Sequence, residues 1–564
     1  MSRDATAAPD TAASPRASTR AIVLGLLALA ALNVALSHEI LWPTPLPVPD
    51  HRIAPELVWA WCGLLAWVAW QGRAGERVIA VFAAVLAALA VMRYVDVVAL
   101  GLFGRRVHLY WDGLQIPRFL SVAAQGAAGE RAAALVALAA VAALAWALYR
   151  AVRAAVRRVA RDLVPAALRS RAALVATGFA AVLVVANHAG VKATWPVVSR
   201  PVSPTWANQF ALLVKALLPG AADRTLPPSP PLRAALAGLA PTDLTIMMLE
   251  SYGAVAFDDA TMHRELAPGR DALARGIAAS GRAVVSAFFT SPTFGGASDL
   301  AHLTLLSGID LSDPMRHDLL ITTDRPTLAR ALGERGWRTY GVYPALSWAW
   351  PEGAYYGYDT LIDGRALGWR GPKLGYWWIP DQFSIARFEQ MHPLAADDPP
   401  RFLFFATITS HVPFGPVPPL QPDRERLLSE VPYDAADVER ALAAGIDWLR
   451  LREGYIGTMR YTYDWLAGWV ERPRVRPGTL VILGDHQPTA AVTGEGARWD
   501  VPVHVVSDDA ALLARLEARG FVRGLEPARA SLGGLQVLTM MLLETLPGPA
   551  TAASSRDADA PAAR

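Results

Sequence analysis

The stretch SPTFGGASDLAHLTLLSG, Ser291 to Gly308, decides how the C-terminal half of this chain is read. It follows the apolar run Ala283-Val-Val-Ser-Ala-Phe-Phe289, which reads as a buried strand. Gly295 and Gly296 make a loop, and Leu300, Leu303, Leu305 and Leu306 begin a helical pattern. Ser298 therefore stands where a glycine loop meets a helix N-terminus. Unpaired N–H groups and the positive end of the helix dipole favour an anion there. A serine oxygen so placed attacks a phosphate or sulfate ester if something lowers its pKa. The plainer reading of the same residue is a helix N-cap.

Outward from this stretch, Asp243 to about Leu546 alternates strands with helices. The strand runs are Leu244–Leu249, Ala283–Phe289, Thr339–Val342, Arg401–Ile408, Thr479–Leu483 and Pro502–Val506. Amphipathic stretches such as Arg325–Arg335 and Val438–Arg452 predict helices between several of them. That pattern predicts an α/β sheet with helices on both faces, and such sheets bind ligands beyond the carboxyl ends of their strands. Four polar clusters follow strand ends: Glu250 after LTIMMLE, Ser298 after AVVSAFF, His411 after FLFFATITS, and Asp485-His486 after TLVILG. Carboxylate, carboxylate, imidazole and hydroxyl together suit one divalent ion such as Mn²⁺ or Zn²⁺, with Mg²⁺ a further fit. Such an ion lowers a serine pKa and neutralises a transferring phosphoryl group.

The N-terminal half has a different composition. The 564-residue chain is 53% hydrophobic, with its apolar residues concentrated before residue 190, and mean hydropathy is +0.26. Net charge is +3, which implies no nucleic-acid partner, and the single Cys62 permits no intramolecular disulfide. Five apolar segments approach spanning length: Ala21–Leu36, Ala54–Trp70, Val78–Leu100, Ala132–Tyr149 and Ala172–Val185. The 20-residue polar tail ahead of the first, and the spans behind it, argue against a cleaved signal peptide. Alternate loops hold twelve arginines against five, the richest running from Arg150 to Arg171. The N-terminus is then cytoplasmic, and everything after about residue 190 lies outside. Arg93 and Asp96, three apart, read as a structural ion pair or as a lipid headgroup contact. Eight prolines between Trp195 and Ala240 mark a linker. Within it, Trp206, Phe210, Leu213 and Leu217 share one face of a helix over Thr205–Leu218. That helix reads either as lying on the membrane surface or as packing on the outer domain. The expected organisation is a tail at 1–20, five transmembrane helices in 21–190, a linker at 191–240, a catalytic domain at 241–546 and a disordered tail at 547–564.

These motifs resemble the alkaline phosphatase/sulfatase superfamily, in its membrane-bound branch. That branch includes lipoteichoic acid synthases, phosphoglycerol transferases acting on periplasmic glucans and, more distantly, phosphoethanolamine transferases. MLES resembles the first metal-ligand motif and implies Glu250 as a ligand. ILGDH resembles a GDH motif and implies Asp485 and His486. SHVPF resembles the substrate-site motif SHTPF and implies His411 beside the phosphate. GYD, Gly357 to Asp359, also recurs in that branch. Ser298 matches the nucleophile position of the sulfatase pattern, but Leu300 and His302 stand where Pro or Ala and then Arg are required. The resemblance therefore implies an unmodified serine alkoxide, not formylglycine. In the synthases the nucleophile is a threonine, which falls on Ala297 here, so the alignment needs a one-residue shift. Tyr343 occupies roughly the position of a synthase histidine, and Trp348 or Trp350 supplies the following aromatic; packing within the loop is the plainer role for these tryptophans. His302 and His504 read either as substrate-site donors or as structural histidines.

The resemblance implies a metal-dependent phosphotransferase anchored in a bacterial inner membrane and facing the periplasm. A phospholipid donor would pass its phosphoglycerol or related headgroup through Ser298 to a glycan or other hydroxyl acceptor. A hydrolase using the same site, and a non-catalytic membrane scaffold, are the alternatives. A transporter is disfavoured, because the spans lack polar interruptions.

Overall fold

A computed structural model of the chain describes residues 18–42, 44–113, 116, 128–191, 197–218, 225–237, 239–347, 349–375 and 377–546. The tail up to residue 17, parts of the linker, Trp348 and the tail 547–564 lie outside the described residues. The chain forms two units. One comprises Met1–Leu41, Pro45–Val98 and Val107–Leu217, and the other comprises Trp42–Thr44, Ala99–Arg106 and Leu218–Arg564.

The first unit holds α1 (Thr19–Ser37), a small ladder of β1 (Glu39–Ile40) and β2 (Pro47–Val48), α2 (Pro55–Gln71), α3 (Glu76–Phe103) up to Val98, α4 (Ala128–Arg158), α5 (Arg171–His188) and α6 (Ser203–Leu217). Among the described residues, four helical stretches are long and apolar enough to cross a bilayer: Thr19–Ser37, Glu76–Gly101, Leu135–Leu168 and Arg171–His188. The 17-residue α2 is shorter and falls outside that set. Residues from α1, α2, α3 and α4 share one apolar core that includes Leu36, Leu64, Ala83 and Val156.

Two sequence expectations are corrected here. The fourth helix does not end at Tyr149. It continues through Arg158 and a π-helical stretch, Val159–Leu163, to Leu168, so most of the arginines expected in a loop are helical. Arg153, Arg157 and Arg161 gather on Glu76 at 2.6 to 3.1 Å, which places this helix end beside the start of α3. Arg93 takes Glu39 as its carboxylate partner at 2.7 Å, in addition to donating to His38 O at 2.8 Å. A guanidinium only 2% exposed requires such partners, and Glu39 supplies the charge from 54 residues earlier. At α6, the Glu56 carboxylate accepts from Val202 N, Ser203 N and Ser203 Oγ at 2.7 to 2.9 Å, capping the helix start. None of the residues of α6 is buried.

The second unit is built on a nine-stranded mixed sheet. Its strands are β3 (Asp243–Leu249), β4 (Ala283–Thr290), β5 (Arg338–Tyr343), β6 (Thr360–Asp363), β7 (Arg401–Ala406), β8 (Gly478–Gly484), β9 (Asp500–Ser507), β10 (Val522–Arg523) and β11 (Ser531–Gly534). Their order is β10-β4-β9-β8-β3-β7-β5-β6, with β11 also on β4. The five strands from β8 to β6 run parallel, and β9 is antiparallel to both β8 and β4. Strands β3, β4, β7 and β8 therefore all end at the same edge. Alternate residues face opposite layers. Met247, Leu403, Leu480 and Ile482 join the core under α7 (Ala260–Ala279) and α10 (Leu451–Glu471), together with Phe388 of α9 (Asp381–Met391). Ile246, Phe404 and Val481, also buried, face the opposite layer, which includes α8 (Ser298–Ser307) packed on α11 (Leu535–Thr545). Burial on both faces explains why these strands read as continuous apolar runs.

All six expected strands are present. The expected helix Val438–Arg452 is not a single element. One helix ends at Ala444, where Gly445 adopts φ 61°, and α10 begins at Leu451. Of Arg325–Arg335, only Leu328–Gly333 is helical.

Candidate active site

Strand register builds the centre of the site. Leu249 of β3 pairs with Gly484 of β8, so the next residues of two parallel neighbours, Glu250 and Asp485, leave the sheet side by side. The two loops touch closely. A Cβ on Gly484 would lie 1.8 Å from Tyr252 O, and one on Gly253 would lie 1.9 Å from Gln487 Oε1. Only glycine permits this approach. On the third side, the chain between β4 and α8 turns at Ala297, a non-glycine residue in the left-handed region (φ 61°, ψ 47°). That conformation costs about 1–2 kcal/mol and delivers Ser298 at the first position of α8.

Four of the expected residues converge. Ser298 Oγ lies 3.3 Å from Glu250 Oε2 and 3.2 Å from His486 Nε2. His486 Nε2 lies 3.6 Å from Glu250 Oε1 and 3.4 Å from Asp485 Oδ2. Glu250, Asp485 and His486 are all buried, and each offers a ligand atom within 4.8 Å of the others. Burial, reinforced by the neighbouring Asp485 carboxylate, holds the Glu250 carboxyl well above its usual range. Asp485 Oδ1 accepts from Ser251 N and His486 N, whereas the buried Asp485 Oδ2 has no hydrogen-bond partner. An orphaned buried carboxylate oxygen, facing a second carboxylate and an imidazole, fits a divalent cation.

Several residues that support this cluster were not legible as site residues. Thr407 Oγ1 accepts from Glu250 N at 2.9 Å, Ser410 Oγ donates to Glu250 O at 2.6 Å, and Ser251 Oγ donates to Glu250 Oε1 at 2.8 Å. Ser291 Oγ donates to Asp485 O at 2.5 Å. Gln487 O accepts from Gly295 N, tying the loop before Ser298 to the loop of Asp485. The fully buried Asp381 accepts from Ile408 N and Thr409 N at 2.7 and 2.9 Å, pinning the segment that carries His411. Their hydroxyls and amides act across 150 residues or more in most cases, and no local motif signals that.

The remaining expected residues divide. His411 stands at the same sheet edge, half-buried, with its ring 6.0 Å from Trp377; burial lowers its pKa to about 4, so it is neutral at physiological pH. His302 lies one turn into α8, packed edge-on against Phe404 at 5.3 Å and Tyr343 at 5.8 Å. The Tyr343 hydroxyl meets Tyr358 at 3.1 Å, and Trp350 packs on Tyr343 and Tyr356. These rings form a packed aromatic wall, which is the packing role considered for Trp350.

His504 is corrected: it is a core histidine. It sits in mid-strand opposite Ile482, with Nδ1 2.6 Å from Ser286 Oγ and Nε2 3.0 Å from Tyr252 OH. Neither ring nitrogen is left for a substrate. Burial, with the positive charge of Arg270 nearby, lowers its pKa to about 3. The native state therefore binds fewer protons here than the unfolded chain between that value and the ordinary 6.5. Its contribution to stability is fully present above pH 6.5 and is lost as pH falls toward 3. On that basis His504→Phe should spare on the order of 2 kcal/mol at pH 5 while changing little at pH 7.5. Ser286 and Tyr252 keep partners in Gly524 O and Tyr463 OH. Thermal melts at the two pH values check this; equal shifts at both would contradict it.

Residues 303–504 match the family described as Sulfatase, a segment that starts just after Ser298 and includes His411, Asp485 and His486. The second unit is thus a sulfatase-like α/β domain. Among similar solved structures is the lipoteichoic acid synthase LtaP from Listeria monocytogenes, with 13% identity over 60% of this chain and 78% of that one, at a TM-score of 0.33. The C-terminal periplasmic domain of EptC from Escherichia coli, in complex with Zn, has 14% identity over 57% of this chain and 87% of that one, at 0.36. The Streptococcus pyogenes phosphoglycerol transferase GacH, in complex with sn-glycerol-1-phosphate, has 9% identity over 56% and 88%, at 0.31. No curated protein matches the chain by sequence.

Proposed function

We propose that the chain is a membrane-anchored, metal-dependent phosphotransferase that moves phosphoglycerol or a related phospho-headgroup from a phospholipid to an envelope glycan. The convergence of Ser298 Oγ with Glu250 and His486 at the start of a buried helix carries this reading. Glu250, Asp485, His486 and Ser298 would hold one divalent ion, with Mn²⁺ favoured over Zn²⁺ or Mg²⁺. When bound, that ion lowers the pKa of the serine hydroxyl and neutralises charge on the phosphoryl group.

Ser298 Oγ attacks the phosphorus of the lipid donor. A bond from Oγ to phosphorus forms, the bond from phosphorus to the diacylglycerol oxygen breaks, and diacylglycerol leaves with a proton. The dipole of α8 favours the phosphoryl oxygens at its N-terminus. His411, neutral at physiological pH, orients a phosphoryl oxygen or accepts the proton of the incoming hydroxyl. An acceptor hydroxyl then takes phosphorus from Ser298, restoring the free serine. His302, Tyr343 and Trp350 shape the wall beside the headgroup. The spans within 21–190 anchor the chain in a bacterial inner membrane, with residues 241–546 on the outer side beyond the linker at 191–240.

The test is lipid consumption by the full chain in phospholipid vesicles with Mn²⁺, with and without a glycan acceptor. Ser298→Ala is expected to lose activity by a factor on the order of 10⁴. Product that depends on acceptor marks a transferase, and equal turnover without it marks a hydrolase. Undiminished lipid consumption by Ser298→Ala would remove the serine from the reaction.

A further inference from the structure

Two loops flank the segment His411 to Pro416, and both carry exposed tryptophan. The first, between Ala444 and Leu451, seats Gly445 O 3.3 Å from where a Cβ on Gly415 would stand. The second seats Gly375 against Pro416 O, at 3.8 Å by the same measure. Within eight residues of the first loop and its preceding helix, Leu442, Ile446, Trp448 and Leu449 are 51%, 40%, 62% and 64% exposed. On the second loop Trp378 is 49% exposed, with Lys373 Nζ 3.8 Å from its ring centre. A soluble surface rarely gathers so much apolar area without a partner.

Charge argues for what that partner is. Around Trp448 the ionic groups pair among themselves: Asp447 with Arg450, Arg450 with Glu453, Arg440 with Asp437 and Arg452 with Asp259. The tip is therefore apolar and locally neutral. Such a tip offers no basic patch for anionic polymers, but tryptophan and leucine together partition to the boundary between headgroups and acyl chains. Among its described residues the chain has four helices long and apolar enough to cross a bilayer, so a lipid surface is a partner that the same chain would supply.

We propose that Ile446, Trp448 and Leu449, with Trp378 beside them, insert into the headgroup boundary of the bilayer and hold the mouth of the site beside His411 against the lipid surface. The inference rests on membrane anchoring, not on the identity of donor or acceptor, so either can fail alone. Because the charges around Trp448 are paired and Lys373 adds a single cation beside Trp378, insertion is expected to depend only weakly on salt and on anionic lipid.

Cys62 is the single cysteine, so full-length Cys62→Ser provides a background for one reporter. An environment-sensitive fluorophore is placed at Trp448→Cys or, as control, at Arg338→Cys, an exposed position at the start of β5 and so at the opposite sheet edge. Both are reconstituted in phosphatidylcholine vesicles doped with doxyl-labelled phosphatidylcholine. Doxyl quenching at position 448 is expected to exceed that at 338 by about threefold or more, with iodide quenching correspondingly weaker, at low and high salt alike. Iodide quenching at 448 equal to that at 338 would overturn the proposal. Shielding of 448 from both quenchers would also overturn it, by showing that protein, such as a second copy, covers the tip.

Discussion

Asp485→Asn is expected to abolish divalent-metal binding and, in the metal-free protein, to raise thermal stability. Without an ion, the Asp485 carboxylate is buried beside Glu250 with one oxygen unpartnered. A buried Asp485 carboxylate beside a Glu250 carboxyl already pushed toward its neutral form destabilises the fold, and an amide removes that charge while leaving an oxygen for Ser251 N and His486 N. With the wild type, free metal at about 100 times its Kd stabilises the native state by about 2.7 kcal/mol. For a domain of this size that is a rise in Tm of roughly 4 °C. Melts of the full chain in chelator and in Mn²⁺, with metal content measured in parallel, check both parts. A variant that keeps the wild-type metal shift would show that Asp485 holds no ion.

Gly484→Ala should be nearly as damaging to activity, although it removes no functional atom. The added methyl would stand 1.8 Å from Tyr252 O and 3.2 Å from Val501 Cβ, and backbone must move to admit it. The loops of Glu250 and Asp485 are then forced apart. Overpacking of this kind costs about 1–3 kcal/mol, and a shift near 1 Å in a reacting group costs on the order of 10²-fold in rate. Metal titration should show weakened affinity with the secondary structure retained. Wild-type affinity and rate in Gly484→Ala would mean that the two loops tolerate separation, and that their contact does not set the site.

The parts of this architecture that were legible in the sequence are those set by local chemistry. Strands buried on both faces appear as runs such as Leu244–Leu249, and the residue after each run falls at the sheet edge where ligands bind. Glu250, Ser298, Asp485 and His486 could be grouped for that reason before any contact was known. What was not legible depends on pairings across long separations. Thr407 reaches Glu250 over 157 residues and Ser291 reaches Asp485 over 194, each through a hydroxyl that in sequence looks like any other. His504 reads the same whether its ring faces a ligand or Ser286. Arg93 has an acidic neighbour three residues on, yet takes Glu39 as a partner from the far side of α2 in sequence. The break after Ala444 was hidden because the residues on either side carry compatible helical patterns; Gly445, at φ 61° and ψ −156°, turns the chain out of the first helix, and residues 445–450 separate it from α10.

On the proposed function, Ser298 is the nucleophile of a phospholipid-consuming reaction. Mass spectrometry of the peptide containing Ser298 tests it most directly, after the purified full chain is incubated with mixed phospholipids and Mn²⁺, with Ser298→Ala alongside. A phosphoglycerol or phosphoethanolamine adduct on Ser298, absent from the variant, is the predicted result, and its mass names the donor headgroup. An unmodified Ser298 together with no loss of phospholipid would contradict the account.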